Sequence, residues 1–180
     1  MTDPSDHDAR RSDLIARRDA LYAEQKARDE ARERAGTVAE FLRWHAADLA
    51  NVSHALHWPW EPDGVRFPAY PWAFSGIDWA RVPGANTRYG GTEEVLAELF
   101  TDALDALGIP ADRRLRLQWG VAHLPDVTLA RADAERLAER LMRWSSDLWI
   151  HDPTDVWAIE IYHEGTLSYA RRPPDDGGSG

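Results

Sequence analysis

"RLRLQWGVAH", residues 114–123, decides the class of fold. Leu115, Leu117, Trp119 and Val121 alternate with Arg114, Arg116, Gln118 and Gly120, and a period of two belongs to a strand with one covered and one polar face. Something apolar must cover that face, and the flanking segments supply it. On the N-terminal side, "EEVLAELFTDALDALG" (93–108) repeats its apolar residues at helical spacing, with Thr92 as cap and Gly108 and Pro110 as stop. On the C-terminal side, "RADAERLAERLMRWSS" (131–146) reads as another helix. Beyond it, "DLWIH", "VWAIEIYH" and "TLSYAR" read as three short strands joined by the turns "DPTD" and "EG".

Helices on one face of a small mixed four-stranded sheet, an α+β fold, are therefore expected for residues 92–172. If the first two strands run parallel, the crossover through the intervening helix is right-handed. If instead the strands ending at His123 and His163 neighbour each other in parallel, the two rings come together over one end of the sheet.

Further upstream, residues 12–57 read as a long helical segment. Pairs of opposite charge four residues apart, such as Asp13/Arg17 and Glu24/Arg28, support a solvated helix. Gly36 followed by "TVAE", a Thr-x-x-Glu capping box, predicts a break into two helices there. In the second of these, Val38, Leu42, His45, Leu49, Val52 and Leu56 share one face, with Phe41 at its edge. A neutral, hydrogen-bonded His45 is expected within that seam. The first helix carries only Leu14 and Leu21 at matching positions, so residues 12–57 are also a candidate for self-association into a homo-oligomer.

Between these parts, residues 58–91 show no period at all. Aromatic residues alternate with Pro and Gly, the composition of an ordered but irregular loop. Residues 1–11 and 173–180 are polar and are expected to be flexible.

Charge narrows the function. The chain carries a net −10, and residues 1–36 hold nine acids against eight bases, so the excess of acid belongs to the globular part. Such a surface repels phosphate, which argues against a nucleic-acid ligand, and steers a basic protein partner inward. Absence of cysteine removes thiolate nucleophiles and Cys-based metal centres. No apolar run approaches the roughly 20 residues a membrane span needs, and a cytoplasmic protein with no cofactor is expected.

Three constellations qualify as sites. The aromatic loop sets Trp58, Trp60, Tyr70, Trp72 and Trp79 beside Glu61, Asp63 and Asp78, and indoles with acids suit a protein-docking patch. His54, His57, His151 and Asp152, with His163 and Asp155 nearby, are the residues from which a histidine and carboxylate hydrolase, metal-dependent or not, would have to be built. No HExxH string supports it. "NTRYGGTEE" (86–94) has glycines before a helix start, but Glu93 and Glu94 already occupy the favourable end of the dipole. No G-x-S-x-G surrounds any serine.

The leading expectation is a non-enzymatic acidic binding protein that contacts a basic protein partner. Small acidic α+β immunity or inhibitor proteins that neutralise a toxin are similar in size, charge and architecture, and the likeness extends to no individual residue.

Overall fold

The computed structural model describes residues 4–58, 70–120, 124–152 and 157–171, with side chains from residue 10 onward. Residues 1–40 form one unit and residues 41–180 a second.

The first unit is most of α1, which runs from Pro4 to Leu49. The break expected at Gly36 is absent, because one mid-helix glycine costs only about 1 kcal/mol against alanine and good helix formers flank it. Solvated ion pairs one turn apart line the helix: Asp13 with Arg17, Glu24 with Arg28 and Lys26 with Glu30. Leu14, Leu21 and Tyr22 stand two-thirds exposed on it. No described helix is long and apolar enough to cross a membrane.

In the second unit the elements are β1 (Ala55–His57), β2 (Asn86–Tyr89), α2 (Glu93–Ala106), β3 (Arg114–Trp119), β4 (Asp126–Ala130), α3 (Arg131–Met142), β5 (Leu148–His151), β6 (Trp157–Tyr162) and β7 (Thr166–Arg171), with a short 3-10 turn at Trp79–Arg81. Among the described residues they form one open antiparallel sheet of seven strands in the order β1-β4-β3-β5-β6-β7-β2. The fold is α+β, but the expected four-stranded mixed sheet is corrected in both strand number and direction.

Each missed strand has a physical reason. Strand β1 continues the apolar seam of α1, so Leu56 looks helical until Leu56 pairs with Val127. Helix α1 instead stops at Leu49, ahead of Asn51 and Ser53, whose side chains compete for backbone hydrogen bonds. Strand β2, "NTRY", lies on the sheet edge against β7 and buries none of its residues, so it carries no apolar alternation. Strand β4 is five residues long and runs directly into α3. Pairing between β3 and β5 is antiparallel, so the expected right-handed crossover between them is absent. Strands β3 and β6, which lead to His123 and His163, are separated by β5 and are not neighbours, so the expected meeting of the two rings loses its premise, and His123 lies outside the described residues.

The alternation in β3 places the core. Leu115, Leu117 and Trp119 join Val127 and Leu129 of β4, Ile150 of β5 and Trp157, Ile159 and Ile161 of β6 under Leu104, Phe100 and Leu137 of the helices. Fully burying one such side chain contributes about 1.5–3 kcal/mol. Thr92 Oγ1 accepts the Val95 N–H to start α2, and Gly108, at φ 66°, closes its C-terminus. Arg131 ties the two helices together, donating to Ile109 O, Asp105 and Glu135. The end of α1 joins this core through Phe41 and Leu49. His45, half-buried there, stacks on Trp144 at 4.0 Å and on Phe41 at 4.7 Å, and burial lowers its pKa, with Asp48 partly opposing.

Candidate functional site

The same alternation sends every second residue to the other face of the sheet. One cross-strand row there reads Gln118, Trp149, Glu160, Ser168 and Thr87, and the next reads Thr128, Arg116, His151, Ala158 and Ala170. Polar side chains are expected on a solvent face, but Arg116, His151, Glu160 and Ser168 are buried. A carboxylate in a central strand must find donors or lose its charge.

Glu160 finds them in two indoles and a backbone amide. Its Oε1 accepts from Trp149 Nε1 at 2.5 Å and from the Ile77 N–H at 3.1 Å, and its Oε2 accepts from Trp79 Nε1 at 2.5 Å. Burial raises the Glu160 pKa and these three donors oppose it. The carboxylate also sits against Gly76, where a Cβ would overlap Oε1 and push the carboxylate off its donors.

This anchor fixes the segment from Tyr70 to Val82 on the sheet. Tyr70, Ile77 and Val82 pack with Ala158 and Ala170, and the Tyr70 hydroxyl donates to Ala170 O at 3.0 Å. Pro71 to Asp78 forms a tight turn: Ala73 N–H donates to Gly76 O and Asp78 N–H to Pro71 O, both at 2.8 Å, with Trp72 bridged to Ile77. Ser75 and Tyr162 hydroxyls lie 2.9 Å apart and tie the tip to the end of β6. Trp72 leans on Trp149 at 5.6 Å but stays 44% exposed, and Phe74 at the tip is wholly exposed.

The other half of the face carries charge. Arg116 grips Asp126 through Nε at 2.8 Å and Nη2 at 2.7 Å, both groups buried. Burial pushes the Asp126 carboxyl up to about 6, the guanidinium offsetting part of that. Next to Arg116, burial and the guanidinium charge push His151 down to about 4, against the opposing pull of Asp152. Arg113 pairs with Asp152, and His57 Nε2 lies 2.9 Å from Thr128 Oγ1. A cleft of about 780 Å³ opens beside these groups. Of the three arginines that line it, Arg116 is matched by Asp126 and Arg113 by Asp152, and Arg114 donates to Thr128 O.

The residues singled out in the sequence scatter over this surface. Among the docking candidates, Trp72 is exposed, Trp58, Asp78 and Trp79 are half-buried, and Tyr70 is buried. Trp60, Glu61 and Asp63 lie outside the described residues, as does Asp155. His54 holds Val52 O through Nδ1 at 3.0 Å, His57 stands on β1, and His151 ends β5 with Asp152 just beyond it, three strands away or about 14 Å at the usual spacing. His163 pairs with Asp147 at 2.8 Å. Of the four residues named for a hydrolase, His57 and Asp152 line one cleft, and His54 and His151 are not among its lining residues. Among the described residues no three His, Asp or Glu side chains could share a metal ion.

Sequence reasoning missed Glu160, although its signal was present: "VWAIEIYH" sets one acid in the middle of an apolar strand. It also passed over Phe74 as a contact residue, because nothing in the sequence ranks one loop aromatic above another. No protein-family model matches the chain, and no curated protein matches it either.

Proposed function

We propose that this protein is a non-enzymatic, acidic binding protein of the cytoplasm that docks a basic protein partner through the turn Pro71–Asp78. The observation that carries this reading is a wholly exposed Phe74 on a turn held by the buried Glu160 carboxylate. A large apolar side chain gains most from binding when its backbone is already fixed, since little conformational entropy remains to lose. Trp72 supplies a second aromatic contact beside it, and aromatic anchors dominate interface energetics. The net −10 charge steers a cationic partner and suits the immunity or inhibitor class, whose members need a rigid surface and no reacting group.

Partner capture from native extract tests it, with wild type and Phe74→Ala side by side. A protein retained at low salt by wild type, released as salt rises and lost in Phe74→Ala supports the reading. Equal retention by both forms sinks it.

A second reading rests on α1. Leu14, Ile15, Leu21 and Tyr22 form an exposed apolar stripe on the part of α1 that lies in the first unit, residues 1–40. Burying that stripe against the same helix of a second copy would make the protein an oligomeric scaffold. Molar mass by light scattering decides the matter.

A further inference from the structure

We infer that the apolar stripe of α1 pairs with the same stripe of a second copy in the antiparallel sense, with the two-fold axis passing between Ala20 and Leu21. This deepens the scaffold reading and rests on it. None of residues 10–40 is buried within the chain. Leu14, Leu21 and Tyr22 are walls of a groove of about 680 Å³ on that stretch, and the groove is mostly apolar. Helices draw most of their stability from packing an apolar face, and this one has a face with nothing packed on it.

The order of charges beside the groove selects what covers it. At about 3.6 residues per turn, Asp13, Arg17, Glu24 and Arg28 run along one flank of the line from Leu14 to Leu21. They form two ion pairs along the helix, Asp13 with Arg17 at 2.9 Å and Glu24 with Arg28. Read in chain order the signs are acid, base, acid, base, a pattern complementary to its own reverse. A parallel copy would set each charge against itself, which is destabilising. An antiparallel copy sets Asp13 against Arg28 and Arg17 against Glu24, and a single register serves both pairs because both share one midpoint. Each carboxylate then lies between two guanidinium groups, one from each copy. The result is a network of four charges toward each end of the overlap, the arrangement in which surface charge contributes where isolated pairs do little.

The apolar residues suit the same register. Leu21 meets Leu21 of the second copy, and Leu14 lies on the methylene stem of its Arg28. The midpoint also falls within two residues of the middle of residues 4–40, the part of α1 in the first unit, so the two helices overlap over about 50 Å.

The test joins light scattering to a distance measurement. The chain has no cysteine, so Glu33→Cys takes one spin label at an exposed site outside the groove. We expect a two-chain mass and a label separation of about 40 Å, whereas a parallel pair would hold the labels within about 25 Å. Arg17→Glu, which sets acid against Glu24, should weaken association roughly fivefold. Adding Glu24→Arg breaks the remaining pair with Arg28 but recreates the contact between copies, so the double variant should recover affinity. A two-chain mass with the short separation, or a double variant weaker than the single one, overturns the antiparallel pairing and leaves the scaffold reading standing. A one-chain mass for the wild-type protein overturns both.

Discussion

Replacing Glu160 with glutamine keeps shape and volume and removes one acceptor, so the consequence can be worked out atom by atom. The amide oxygen takes the Oε1 position, where two donors converge, Trp149 Nε1 at 2.5 Å and Ile77 N–H at 3.1 Å. The amide NH2 must then face Trp79 Nε1, donor against donor. Two hydrogen bonds fall from charge-assisted to neutral, losing about 1 kcal/mol each, and one buried indole N–H loses its acceptor at about 1–3 kcal/mol. Relief of the carboxylate's burial, the cause of its raised pKa, returns part of this. The net destabilisation should be about 2–4 kcal/mol, read as a fall of roughly 5–15 °C in Tm for a chain of this size. A double-mutant cycle with Trp79→Phe separates this from general damage. Removing the Trp79 donor should cost less in the Gln background than in wild type, with a coupling of about 1–3 kcal/mol. A Gln variant within about 0.5 kcal/mol of wild type, or a cycle that closes with no coupling, would refute the claim that Glu160 holds the turn.

Further outcomes follow from the same geometry. Phe74→Ala should leave Tm unchanged, since the ring buries nothing, and weaken a captured partner about 30-fold, the loss of one hot-spot side chain of about 2 kcal/mol measured by calorimetry. In the charged cluster, unfolded His151 takes its proton near 6.5 and the folded residue refuses it until about 4, so its contribution, about 3 kcal/mol in full, is lost as pH falls through that window. Asp126 works in the opposite sense: folded, it takes a proton near 6 rather than 3.8, so stability rises by about 3 kcal/mol as pH falls from about 6 to about 4. Urea titrations should therefore find Asp126→Asn losing stability steeply on acidification to pH 4 and His151→Leu losing much less; parallel profiles would contradict the assignment. For α1, light scattering should give a molar mass above that of one chain for wild type and that of one chain for Leu14→Glu/Leu21→Glu, and one-chain mass for both removes the scaffold reading.

What the sequence made legible was periodicity backed by burial. Strand β3 and helix α2 announce themselves because one face of each is apolar throughout and the other is not. Strand β2 was hidden because its stability comes from pairing with β7 and from contacts such as Thr87 to Ser168, none of which leaves a local pattern. Strand β1 was masked by a pattern that pointed the wrong way, its Leu56 completing a helical face that the chain abandons at Leu49. The site was illegible for a related reason. Glu160 stands out in "VWAIEIYH", but its partners Trp79 and Ile77 lie more than 80 residues earlier, and only the fold brings them to it.

A sheet face that buries Glu160, Arg116, Asp126 and His151 is not the most stable face this backbone could carry, since apolar residues of similar volume are often as good or better. Their placement makes sense as a constraint on register. A slip of one residue in β6 would turn Glu160 into the helix-covered core and expose Ile159 and Ile161, while tearing three donors from the carboxylate. Because the donors belong to the turn and the acceptor to the strand, the condition that fixes β6 also fixes where Trp72 and Phe74 stand above it. An exposed aromatic on a slack loop would have to be ordered at every encounter, at about 0.5–1.5 kcal/mol per immobilised side chain and more for the backbone. Here that ordering is done during folding, with a buried carboxylate as its means. Stability spent on Glu160 thus reappears as a contact surface already in the shape it binds with.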